Sequence, residues 1–182
     1  MTPSRTVRWP AVLYVGFGAA CVALACGVRA AGHPVSWLLL VVPGALLAVA
    51  VVHAFVAVAS RRTGVDASRT RSLAGVFGVA PRPLLAAAGF VFVTGWLVGA
   101  FAMASLDGQA ADDGPPSCPY YLSDHGARTC VTSGEYVWAR AVEQALVCAA
   151  LGAFLAGCGA LTAGGTEPAQ ERDHRVRITG RV

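Results

Sequence analysis

Apolar residues are gathered into four long blocks, at 11–28, 35–59, 84–106 and about 137–161, with polar stretches between them. The blocks lack the period-two alternation of a barrel strand. Each is long enough for a helix to cross a hydrocarbon core of about 30 Å, which takes roughly 20 apolar residues. Helices are the expected form, because in lipid a backbone must satisfy its own hydrogen bonds. The expected fold class is all-α: a four-helix transmembrane bundle over 1–163, with helices at about 11–28, 35–59, 84–106 and 133–162. A disordered cytoplasmic tail is expected over 164–182.

The polar stretches add detail. The connection 29–34 is short, so the first two helices are expected to be antiparallel neighbours. Pro43-Gly44 predicts a bend in the second helix. Between the third and fourth helices, 107–117 has the composition of a flexible acidic approach. Tyr120-Tyr121-Leu122 and Thr129-Cys130-Val131 then flank Ser123-Asp124-His125-Gly126, the pattern of a short external β-hairpin. Thr132-Ser133-Gly134-Glu135 fits a capping box, with Val131 and Tyr136 at the staple positions. A helix from Ser133 to about Thr162 is about 45 Å long, so its first two turns stand above the hydrocarbon. Arg140, Glu143 and Gln144 then belong to the interfacial zone, with Trp138 as a belt aromatic.

Composition agrees with this pattern: 55% of residues are hydrophobic and 13% charged, against about 25% charged in a soluble domain. The cationic residues are all arginine. Arg5, Arg8, Arg61, Arg62, Arg69, Arg71, Arg82, Arg172, Arg175, Arg177 and Arg181 fall on one side of the predicted spans, and Arg29, Arg128 and Arg140 on the other. By the positive-inside rule both termini are cytoplasmic and 107–132 is outside, as in a multi-pass protein of the plasma (inner) membrane. Net charge +4 is thus an orientation signal, and no nucleic-acid partner is expected. The connection 60–83 is expected to be a solvated basic loop rather than a surface-lying segment, since Gly75 and Gly78 weaken a helix there. Arg5 and Arg8 before an apolar run also describe a cleavable leader, and Ala23-Leu24-Ala25-Cys26 loosely resembles a lipoprotein box. Ala23 replaces the usual larger aliphatic, so a retained helix is expected.

Candidate chemistry is sparse. Cys118 and Cys130 face each other if the hairpin is centred on Asp124, and a disulfide there contributes roughly 3 kcal/mol. A zinc site from Cys118, His125 and Cys130 has an unusual spacing and too few ligands, so no metal is expected. A quinone-coupled thiol oxidoreductase needs a second reactive pair, typically Cys-x-x-Cys, which the sequence lacks. Cys21, Cys26, Cys148 and Cys158 sit in apolar helices as packing residues. His53 is the lone ionisable group well inside a span, a candidate intramembrane polar site. A haem would need a facing axial ligand, yet His33, His125 and His174 lie in loops or the tail, so no cofactor and no catalytic residue is assigned. Small residues recur at Gly95 and Gly99, at Ala145, Ala149, Ala153 and Gly157, and at Ala19, Ala23 and Gly27. Such stripes permit close helix approach, first within the bundle and otherwise to a second copy.

Tyr121, His125, Gly126 and Thr129, followed by Val131, Thr132 and Tyr136, resemble a Tyr-x-x-x-His-Gly-x-x-Thr-type loop of small uncharacterised bacterial multi-span membrane proteins. The resemblance covers about sixteen residues, lacks counterparts for Cys118 and Cys130, and implies no activity. The layout looks like that of tetraspanins, but without their Cys-Cys-Gly motif no kinship is drawn. The leading expectation is a non-enzymatic interaction or accessory protein of a membrane complex. Its partners would be the lipid bilayer and a membrane protein or a second copy. A small transporter or channel comes next, weakened by the absence of Asp or Glu from the middle of any span. The thiol oxidoreductase comes third.

Overall fold

A computed structural model of the chain describes residues 9–62, 80–111 and 117–163. The leading arginines, most of the basic connection, the centre of the acidic approach and the tail lie outside them. Four helices are present: α1 (Trp9–Ala31), α2 (Leu38–Arg62), α3 (Arg82–Met103) and α4 (Ser133–Ala163). All four are long and apolar enough to cross a bilayer, as befits a multi-pass membrane protein. Between α3 and α4 lies a three-stranded antiparallel sheet in the order β1 (Gln109–Ala111), β2 (Tyr121–Asp124), β3 (Ala127–Cys130).

The helix ends differ from the sequence expectation for local reasons. Helix α1 continues to Ala31 and stops at Gly32, whose φ of 64° suits a glycine cap and whose amide bonds Val28 O at 3.0 Å. Helix α2 begins at Leu38 rather than at 35, because both backbone polar groups of Val35 are taken by a side chain of α4. It then runs unbroken through Pro43. Helix α3 ends at Met103 rather than 106, its chain tightening into i→i+3 bonds from Ser105 N to Ala102 O and Leu106 N to Met103 O.

Helix α4 is the centre of the bundle, and its composition explains why. Ala145, Ala149, Ala153 and Ala156 are buried, and Gly152 and Gly159 leave no side chain between it and α1. A Cβ on Gly152 would lie 2.7 Å from Gly18 O, and a Cβ on Gly18 would lie 2.7 Å from Gly152 O, so the two backbones touch directly. Helix α3 approaches almost as closely, with the Cβ position of Gly95 2.9 Å from Ala149 O. Such small-residue contacts gain dispersion energy where water supplies no hydrophobic drive. Around them lie Val15, Val22, Ala88 and Val91 on one side of α4, and Tyr14, Cys21, Ala50 and Ala54 on the other.

Two expectations about packing are corrected. Ala19, Ala23 and Gly27 face outward; α1 packs through Ala11, Gly18 and Ala25, seven apart, with Val15 and Val22 between. Helices α1 and α2 also touch each other only sparsely, since α2 seats Ala50 and Ala54 against Leu155 and Cys158 of α4.

Candidate functional site

Among the described residues, polar contacts are concentrated at the end of the bundle that carries the sheet. Its centre is the start of α4, where the capping box forms: Thr132 N donates to Glu135 Oε2 (2.8 Å) and Glu135 N donates to Thr132 Oγ1 (3.3 Å). Tyr136 packs on Tyr120 with ring centroids 5.3 Å apart, and its hydroxyl accepts from Arg140 Nε at 3.1 Å. Arg140 lies 3.8 Å from Glu143 one turn on, and Glu143 Oε1 accepts the amide of Ala110 at 2.7 Å. A continuous set of contacts therefore ties β1 and the approach to β2 to three turns of one helix.

Strand β1 lies in the segment whose composition predicts a flexible approach. It forms because Gly108, at φ 138°, turns the chain against Leu122 and Ser123, where a Cβ would sit 3.2 Å from each. Glu143 then holds the Ala110 amide. The hairpin is also recentred. Asp124 pairs with Ala127, leaving His125 (φ 46°) and Gly126 (φ 89°) as a two-residue turn with both central residues left-handed, the geometry that matches strand twist. Cys130 consequently faces Tyr121 rather than Cys118. The Cys118–Cys130 disulfide still forms, with Cα atoms 5.7 Å apart, but it clasps the segment entering β2 to the end of β3 instead of crossing the middle of the ladder. With both sulfurs committed to each other and His125 at the turn, these three residues do not converge as a zinc site. His125 is instead bonded to Asp124 at 2.7 Å, and both side chains are exposed.

Gln144, expected in the interfacial zone, is buried within the protein, at 1% exposure. Its Nε2 donates to Val35 O (2.8 Å) and its Oε1 accepts from Val35 N (2.7 Å), so one amide clamps the α1–α2 connection to α4. Thr162, the other buried polar side chain among the described residues, donates to Cys158 O at 2.8 Å. His53 lies on the outward side of α2 and is hydrogen-bonded through Nδ1 to the hydroxyl of Tyr14. This is a satisfied pair between α1 and α2. Gly95, Gly99, Ala149 and Ala153 serve the α3–α4 contact inside the chain, Ala145 is buried in a cluster with Ala25, Leu40 and Cys148, and Gly157 faces Phe92. Arg29, read from the sequence only as an orientation charge, donates through Nη2 to Ser105 Oγ at 2.9 Å, and its guanidinium lies 4.8 Å over the Phe101 ring.

Comparison with protein-family models, with curated proteins and with solved structures finds no match for this chain. The arrangement itself is that of a covalently braced polar cap on an apolar bundle. No group of three or more metal-binding side chains occurs among the described residues.

Proposed function

We propose that the chain is a non-enzymatic membrane protein that binds a partner protein through its hairpin cap, as an accessory component of a membrane complex. The carrying observation is the division of polar groups. Gln144 and Thr162, the buried polar residues of the described bundle, are hydrogen-bonded within the protein, while Asp124 and His125 project from a turn held by a disulfide and anchored to α4. Preorganising a contact surface lowers the ordering cost of association. The arginine asymmetry supports a plasma-membrane orientation with both termini cytoplasmic and the cap outside, where a disulfide persists.

A photo-crosslinking residue at His125, activated in intact cells, tests the reading. It predicts a discrete protein adduct that disappears when Cys118 and Cys130 are both replaced by Ser. Adducts to lipid alone, from protein shown to be folded, overturn it, as does solute flux into proteoliposomes.

A further inference from the structure

Between the cap-side ends of α1 and α3 lies an open groove of about 630 Å³, lined by Cys26, Arg29, Ala30, Leu97, Val98 and Phe101. Its walls are apolar, and Leu97 and Phe101 are each 66% exposed on the surface that faces lipid. At its head stands Arg29, two residues from the end of α1. The guanidinium makes one hydrogen bond, to Ser105, and rests on Phe101; its Nη1 is shut off from solvent with no acceptor. Among the described residues no carboxylate lies within ion-pair distance of it.

A cation at the rim of a lipid-facing groove, with N–H groups unmatched by the protein, calls for an anionic acceptor carried by an apolar body. We propose that this groove is a phospholipid site in the leaflet on the cap side. Arg29 binds the phosphodiester, and the first part of an acyl chain lies along Ala30, Cys26, Val98, Leu97 and Phe101. Depth suits this occupant: Leu97 to Ser105 spans eight residues of chain, about 12 Å at helical rise, from within the hydrocarbon to the headgroup level. On this proposal a bound headgroup draws the guanidinium round about its bond to Ser105, bringing Nη1 out to the phosphodiester. Ser105 is the positioning residue, its hydroxyl held in turn by Phe101 O at 2.7 Å. The site is independent of the partner-binding reading above, since it needs only the bilayer.

The test is native mass spectrometry of the full chain in mild detergent, titrated with phosphatidylglycerol or with diacylglycerol of the same chains. Wild-type protein should bind one phosphatidylglycerol at least fivefold more tightly than the diacylglycerol, and inorganic phosphate should not compete. Arg29→Gln should abolish the preference. Leu97→Trp, which fills the groove and leaves Arg29 in place, should lower affinity for both lipids by fivefold or more; it decides the matter if the arginine variant does not fold. Equal binding of the two lipids by wild type, or unchanged binding by Leu97→Trp, overturns the proposal, and competition by phosphate reassigns Arg29 to a free anion and overturns it too.

Discussion

Replacing Gln144 by Leu keeps most of the side-chain volume and removes both bonds to Val35. Hydrogen bonds between membrane helices average about 0.6 kcal/mol and reach about 1.7. An unpaired buried backbone group costs about 1–3 kcal/mol. Two groups of a half-buried residue near the membrane surface, where water partly replaces the lost partner, give a loss of about 2 kcal/mol. For a chain of this length that lowers Tm by roughly 4–8 °C. Gln144→Glu tests the direction of the bonds: a carboxylate still accepts from Val35 N but sets an oxygen against Val35 O. It should be less stable than Gln144→Leu at neutral pH and recover on acidification, as the protonated carboxyl regains a donor. Val35→Ala, which leaves both backbone bonds intact, should cost under about 1 kcal/mol beyond its small loss of packing. Thermal unfolding in detergent across pH 4 to 8 measures all three. A Gln144→Leu protein that melts with wild type, or a Gln144→Glu protein indifferent to pH, would show that the clamp contributes nothing.

Gly152→Ala should destabilise by about 1–3 kcal/mol, because its methyl meets Gly18 O and Val22 at 2.7 Å, whereas Gly16→Ala, with open space around it, should be neutral or slightly stabilising; SDS-induced unfolding separates them. Replacing Cys118 and Cys130 together by Ser should cost about 2–4 kcal/mol and open the hairpin to protease, while leaving the helix content seen by circular dichroism unchanged. Gly126→Ala places a side chain at φ 89° and should cost about 1 kcal/mol, whereas His125→Asn, at φ 46°, should be tolerated; chemical denaturation of the two variants checks this.

What was legible in the sequence follows the range of the forces involved. The spans stood out because apolar length is a property of each segment alone, and the start of α4 because its capping box closes within four residues. The inward face of α1 was misjudged since lipid-facing positions are as apolar as core positions, so periodicity does not separate Gly18 from Ala19. Strand β1 has no β propensity in Gln-Ala-Ala; its amide is held by Glu143, 33 residues away, and nothing local announces that. The hairpin centre lies between His125 and Gly126, beyond Asp124, because His125 adopts a left-handed conformation uncommon for a residue other than glycine, and the Gln144 clamp is invisible in sequence because its partner is backbone.

These long-range bonds bear on how a partner would be sensed. Four attachments converge on residues 132–144: the capping box, the Tyr136–Tyr120 contact, Glu143 on β1 and Gln144 on the α1–α2 connection. The disulfide joins the two ends of the hairpin just ahead of that stretch. The cap is therefore not a loop hung between two helices but an extension of α4, the helix against which the other three pack. The close contact of Gly18 with Gly152 lies on the same continuous helix, 19 residues on from Ser133. Crosslinking yield at His125 should accordingly fall in Gly152→Ala, a substitution far from the hairpin, if the partner requires the cap in its docked position; equal yield would mean that the hairpin is recognised by itself.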